Sequence, residues 1–303
     1  VNGLSCQEVL NLTALPLPSL PKSEINCLMV SFTHFSSSLL MIPTDVHTEI
    51  MQRLAKTERE EDVRILLAIE SGSRAWGFAS ANSDFDVRFI YARPADWYLA
   101  VDLEERRDVI EYAITDDIDL NGWDIRKALR LFKKSNPTFV EWLQSPFKYT
   151  EVGAFAEAAR QLLPLVYSCE SGIYHYRNIA KTNYRGYLRA ELVPIKKYFY
   201  VLRPLLSVRW LERYGTAAPI EFSKLLHLID GETGLLADIE MLLQRKSVAL
   251  ELEYAEPVAS INAFVEAELE RLKSRVPLRG QKPEPLCQLN ALFLATLREP
   301  WLS

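Results

Sequence analysis

Between residues 63 and 91 the chain carries two segments that only a sheet can satisfy. Val63 to Ile69 is short and mostly apolar, bounded by the acidic break Glu58 to Asp62 and by Glu70-Ser71-Gly72. That pattern predicts a buried strand. Phe85 to Tyr91 then alternates. Phe85, Val87, Phe89 and Tyr91 share one face, while Asp84, Asp86 and Arg88 share the other. On a helix these large apolar side chains would scatter around the axis; on a pleated strand they form one core-facing row. The chain is thereby committed to a sheet with carboxylates on the face opposite that row.

The flanking segments fill in the fold. A helix is expected from Thr44, a candidate N-cap, with Val46, Ile50, Met51 and Leu54 on one face. Ser73 to Gly77 reads as a tight turn into a short helix, and Pro94 to Trp97 as another helix start. The stretch Val109 to Leu120 ends in a third alternating strand, which Asn121-Gly122 is expected to break. From Trp123 an amphipathic helix buries Ile125, Ala128, Leu129 and Phe132. Asn136-Pro137 caps a further short one. Beyond Thr150 strand signals nearly vanish, and helices are expected near 151–167, 171–190, 193–213, 221–229, 233–247, 257–274 and 284–297. The expected fold is α+β: a mixed sheet with helices over 43–150, then an all-helical half over 151–303.

The chemistry concentrates in Gly72-Ser73-Arg74-Ala75-Trp76-Gly77 and Asn82-Ser83-Asp84-Phe85-Asp86. A strand delivers Gly72 and Ser73 into a turn where a missing Cβ lets backbone amides approach a polyphosphate. Asp84 and Asp86, two apart on a strand, send both carboxylates from one face. Like charges held so close call for a cation, and magnesium is commonly held by one or two carboxylates plus substrate phosphates. Together these make a nucleoside-triphosphate site. A third carboxylate would complete a two-metal arrangement. Asp119 suits it, although Asp117 is expected on the same face, Asp116 and Asp124 are near, and a carboxylate before a helix also serves as a cap. Singly, a Gly-Ser is a turn and an Asp-x-Asp a solvated strand end; their order on successive strands favours function. Arg74 is a candidate phosphate ligand. Arg88 shares the carboxylate face and is a candidate partner for an Asp. Trp76 reads as packing.

These blocks, with Ser83 to Tyr91, Asp119-x-x-Gly122-Trp123-Asp124 and Lys196-Lys197-Tyr198-Phe199-Tyr200, resemble the DNA polymerase beta nucleotidyltransferase superfamily. More narrowly they resemble the RNA-ligase-associated predicted nucleotidyltransferases, over residues 63–230. The resemblance implies a polymerase-beta-like palm and transfer of an NMP from an NTP to an acceptor hydroxyl, with release of pyrophosphate. Gly72 and Ser73 would hold the β and γ phosphates. Asp84 and Asp86 would bind two Mg2+ ions, with Mn2+ as substitute. Asp119 would bind the catalytic ion and help deprotonate the acceptor, expected to be an RNA end.

A local charge asymmetry bears on that acceptor. The whole chain has a net charge of −5. Tyr174 to Arg213 nevertheless holds nine Lys or Arg against Glu191 and Glu212, interleaved with six tyrosines. Lys181, Arg185 and Arg189 recur at i+4, as a basic stripe would. Such a face stacks bases and neutralises phosphates, or is merely a solvated face in front of aromatic core. Lys196, Lys197 and Arg203 are candidates for triphosphate or acceptor-strand contacts. His175 is a further candidate, and His227 reads as structural. The competing functions are transfer to a protein or small molecule, and a non-catalytic nucleotide-binding or toxin-neutralising partner protein, which would need no full metal set. Kinase and GTPase readings lack their phosphate-loop patterns.

Composition closes other routes. The four cysteines are scattered, with no CxxC pair, which argues against structural zinc and a disulfide framework. No apolar run spans a membrane, and the expected location is cytoplasmic. Residues 1–42, opening on Val1 with one basic residue, Lys22, are expected to be a disordered extension or an upstream start assignment.

Overall fold

The computed structural model describes residues 42–248, 253–274 and 284–300. The expectation for the N-terminal extension therefore falls outside the described residues, apart from Ile42.

Helix α1 (Thr44–Glu61) buries Ile50 and Leu54. Its cap position is Pro43, whose side chain accepts nothing, so Thr44 is the first helical residue and not the cap. Strand β1 (Arg64–Glu70) is buried throughout and turns into α2 (Gly72–Trp76), which Gly77 closes in the left-handed region at φ 86°. Strand β2 (Phe85–Ala92) follows, then a 3-10 turn (Ala95–Leu99), β3 (Val109–Glu111) and β4 (Ile118–Asp124). Helices α3 (Ile125–Lys133) and α4 (Pro137–Leu143) precede β5 (Lys148–Glu151). The α3 cap is Asp124, which accepts from the Arg126 amide, and the α4 cap is Asn136, which accepts from the Phe139 amide.

The five strands form one sheet in the order β3-β4-β2-β1-β5, with β2 and β4 parallel and the other pairs antiparallel. The predicted alternation is what covers it. Phe85, Val87, Phe89 and Tyr91 lie in one cluster with Ile50 and Leu54 of α1. A bulge between Ile65 and Leu67 then turns Leu67 and Ile69 to the opposite face, where Ile90 and α3 join the larger core. Asp86 and Arg88 stand on that opposite face.

Two expectations for the third strand are corrected. Its polypeptide is split into β3 and β4 by a turn in which Asp116 and Asp117 take left-handed backbone, φ 53° and 58°. Asp117 is thus off the strand. Asn121-Gly122 does not break β4, which runs through both residues. Gly122 pairs with Phe89, and a Cβ there would lie 2.2 Å from the Phe89 ring. The glycine makes room for an aromatic across the sheet, a recurrent use of glycine inside strands. Strand β5 was not expected, because four residues of mixed polarity carry no pattern; β1 recruits them as an edge.

Among the described residues the rest is mostly helical: α5 (Phe155–Val166), α6 (Cys169–Asn183), a π-turn (Tyr184–Leu188), α7 (Ile195–Tyr214), a 3-10 segment (Phe222–Ile229), α8 (Thr233–Val248), α9 (Ala259–Arg271) and α10 (Leu286–Arg298). A small antiparallel pair, β6 (Val193–Pro194) and β7 (Tyr254–Ala255), joins distant parts of the chain at the start of α7. Helix α7 is the buried axis of this half. Its Phe199 stacks on Phe78, centroids 5.1 Å apart, so the loop after α2 is fastened to it. Helix α10 returns to the sheet, where Arg64 donates to the Thr296 carbonyl at 2.7 Å. One core therefore runs continuously from β1 to α10. The architecture is α+β, a mixed sheet followed by helices, and among the described residues no helix is long and apolar enough to cross a membrane.

Candidate active site

Parallel pairing of β2 with β4 sets Asp86 directly opposite Asp119. Both carboxylates reach one atom: Arg88 Nη2 donates to Asp86 Oδ1 at 2.9 Å and to Asp119 Oδ2 at 2.7 Å. Arg88 Nη1 also donates to the Asp119 and Val87 carbonyls, at 2.8 and 3.0 Å. The guanidinium sits where two converging carboxylates require positive charge. All three side chains are partly exposed, at 31% for Asp86, 28% for Asp119 and 18% for Arg88, so the cluster opens to solvent. Asp84 is exposed just before β2.

The Gly72 turn closes one side of this cluster. Gly72 has φ +60°, and a Cβ there would lie 1.9 Å from Asp86 Oδ2. Only glycine combines that backbone with that approach. The Ser71 amide donates to the Asp86 carbonyl at 2.8 Å, and Ser73 is half-buried beside it. Hence turn and strand form one rigid corner.

Beneath the corner lies a group that the sequence pattern did not single out. Glu70 is fully buried; its Oε1 accepts from the Asp86 amide at 3.0 Å and its Oε2 from the Tyr149 hydroxyl at 2.5 Å. Burial pushes its carboxyl up to about 7, against the pull of those two hydrogen bonds. Burial likewise raises Tyr149, and the adjoining Glu70 charge adds to it. A charged residue closing an apolar strand was the available signal.

The other acidic neighbours have separate employment. Asp116 pairs with Arg53 at 2.7 Å. Asp117 offers its carbonyl to the Phe85 amide at 2.7 Å. Asp124 caps α3 and accepts from Tyr98 at 2.7 Å, and burial raises its carboxyl. Of the four, Asp119 is the one whose carboxylate meets the Asp86 cluster.

The basic candidates divide. Arg74 is buried, donates to the Ser83 carbonyl at 2.6 Å and lies 4.0 Å over the Phe85 ring; it braces the loop leading to Asp84. Arg203 is buried against Glu141, 2.8 Å away, donates to the Ile220 carbonyl and lies 4.4 Å over Trp76. Neither is displayed on the surface, because each satisfies a buried acceptor. Trp76 also donates to Glu141 at 3.3 Å and meets the Tyr200 edge at 5.5 Å, the expected packing role. Lys196 and Lys197 stay half-exposed at the start of α7. Lys197 lies over the Tyr187 and Tyr200 rings at 4.0 and 5.1 Å, which joins it through Tyr200 to Trp76 of α2. His227 is satisfied by Tyr214 and the Lys224 carbonyl, as a structural histidine should be.

Among the described residues no three of His, Cys, Asp and Glu form a ready-made metal cluster. The pair Asp86 and Asp119 nevertheless suits a hard cation carried in with phosphates, since magnesium asks the protein for one or two carboxylates. The space between the two carboxylates is filled by the Arg88 guanidinium.

Known proteins bear on this geometry. The uncharacterized protein YcgL of Bacillus subtilis (strain 168) is 44% identical over 253 residues, 83% of this chain and 96% of its own. A nucleotidyltransferase-like protein from Exiguobacterium sibiricum 255-15 matches at 13% identity over 83% of this chain and 80% of its own, with a TM-score of 0.29, too low to inform the fold. The model of one family matches residues 46–295, which include the sheet, the Gly72 corner and α7. This chain belongs to the RNA repair pathway DNA polymerase beta family.

Proposed function

We propose that the protein transfers a nucleoside monophosphate from an NTP to an acceptor hydroxyl on an RNA end. The observation that carries this reading is the β2–β4 register, with Asp86 opposite Asp119 beside the Gly72 turn. Membership of an RNA repair family supports the choice of acceptor.

In this reading the Gly72 and Ser73 turn holds the β and γ phosphates, Lys196 neutralises the triphosphate, and Lys197, over the Tyr187 and Tyr200 rings, serves the acceptor strand. Asp84, Asp86 and Asp119 would hold two magnesium ions, with manganese as a substitute. When bound, such ions stabilise the attacking and leaving oxygens of an in-line displacement. Asp119 orients the acceptor hydroxyl and takes its proton. The acceptor oxygen bonds to the α-phosphorus, the bond from that phosphorus to the β-bridging oxygen breaks, and pyrophosphate leaves with the electron pair. Arg88 must leave the space between Asp86 and Asp119 for this set to assemble. Arg74 and Arg203 act from behind, by holding the Ser83–Asp84 loop and Trp76.

The test supplies magnesium, cellular RNA and each α-labelled NTP in turn, and follows label into RNA, protein and small-molecule fractions. Label in RNA that vanishes in Asp84→Ala/Asp86→Ala is the expected result. Label only in protein or small molecules would keep the chemistry and replace the acceptor. No incorporation anywhere, with manganese also tried, would overturn the enzyme and favour a nucleotide-binding partner protein.

A further inference from the structure

Six of the nine cations in the basic segment fall into two groups. Arg177 donates to the Leu272 carbonyl, Arg203 pairs with Glu141, and Arg209 pairs with Glu268 at 2.8 Å. These cations are consumed by the fold. Lys181, Arg185 and Arg189 are exposed, and none of them is held in an ion pair among the described residues. Lys181 lies on α6, Arg185 on the π-turn and Arg189 just past its end, at intervals of four residues. Such a row is longer than one triphosphate seated at Gly72 and suits a polyanion.

An aromatic ladder runs beside that row. Tyr187, 40% exposed on the π-turn, is capped by Lys197 at 4.0 Å; Lys197 lies 5.1 Å over Tyr200, and Tyr200 meets Trp76 at 5.5 Å. Trp76 closes the same short helix that Gly72 opens. The ladder thus leads from the exposed row to the Gly72 corner. A π-turn is a costly local irregularity that recurs at functional sites. Here it carries Tyr187 outward beside Gly186, where even a Cβ would meet nothing within 4 Å.

We propose that this face seats a single-stranded RNA segment. Tyr187 stacks one of its bases, Lys197 holds that ring in place, and Lys181, Arg185 and Arg189 neutralise successive phosphates. Duplex RNA does not fit, because its bases are stacked on one another and present no face to Tyr187; single strands stack on exposed aromatics without sequence preference. The inference deepens the RNA-acceptor reading above and rests on it for its purpose, though not for its test.

The experiment measures fluorescence anisotropy of an end-labelled oligoadenylate, alone and annealed to its complement, with the full chain in EDTA and without nucleotide. The single strand is expected to bind at least about tenfold more tightly than the duplex. Tyr187→Ala should weaken single-strand binding about tenfold and leave the salt dependence unchanged, and Tyr187→Phe should restore it. Arg185→Ala/Arg189→Ala should lower the slope of log affinity against log salt by about 1.4. Thermal melts matching the parent show that the variants fold. Equal binding of duplex, wild-type affinity in Tyr187→Ala, or an effect of Tyr187→Ala on NTP affinity alone would overturn the proposal. RNA binding of the expected kind without any nucleotidyl transfer would sink the proposed function and leave this surface standing. Transfer to RNA with a silent Tyr187→Ala would do the reverse.

Discussion

Arg203 discriminates most sharply between a phosphate ligand and a structural clamp. Its side chain is 6% exposed and Glu141 is 12% exposed, with 2.8 Å between them. Glu141 also accepts from Trp76 at 3.3 Å and from Tyr176 at 3.0 Å. Replacing Arg203 by Met keeps most of the stem and removes the charge. Glu141 is then left buried with two neutral donors, a situation that costs about 3–5 kcal/mol. Adding Glu141→Gln removes the stranded charge and keeps an acceptor, so the double variant should recover about 2 kcal/mol of that loss. Removing both charges of a buried pair is commonly far milder than removing one. Urea unfolding followed by intrinsic fluorescence and by circular dichroism measures each free energy, and equilibrium binding of an NTP is read on the same samples under native conditions. A clamp predicts a large loss of stability in Arg203→Met and partial rescue in the double variant. A stability within about 1 kcal/mol of the parent, joined to a selective loss of NTP binding, would refute the reasoning and restore Arg203 to the phosphates.

Gly122→Ala should destabilise the chain by about 1–3 kcal/mol through overpacking against Phe89, and Phe89→Leu in the same chain should recover part of it, as denaturant midpoints will show. Arg88→Met should raise affinity for Mn2+ in the absence of nucleotide about tenfold or more, because the charge-assisted hydrogen bonds that an ion must displace are gone; unchanged or weaker binding by electron paramagnetic resonance would contradict Arg88 as the resident cation. Glu151 is held down to about 2, first by its hydrogen bonds to Arg160, then by Lys148. A depressed carboxyl stabilises the fold above its unfolded value of 4.5 and loses that contribution as pH falls towards 2. After discounting for solvent screening, Glu151→Gln should cost roughly 1 kcal/mol at neutral pH, and the difference from the parent should close between pH 4.5 and 2 in urea titrations.

Much of the sheet and of the corner around the candidate site was legible because its signals are local. The alternation from Phe85 to Tyr91 needs no partner strand to be read, since the pleat alone assigns the faces. The apolar stripe of α3 and the Asn136 cap of α4 are set by neighbours within a turn or two. Gly72 announced a turn by its own backbone freedom. Residues further apart in sequence were decided by packing. Which aspartate joins Asp86 depended on the parallel pairing of β2 with β4, and no local pattern separates Asp119 from Asp116, Asp117 or Asp124. Asn121-Gly122 has the composition of a turn, yet the Phe89 ring across the sheet turns the glycine into a strand residue. Glu70 looked like a strand end and lies buried under the site. Arg203 and Lys181 are both cations in one basic segment; Glu141, brought in from a distant helix, meets the first where it is buried, and the second is exposed. A side chain's charge and period are properties of the chain, whereas the group that answers a charge is chosen by the fold.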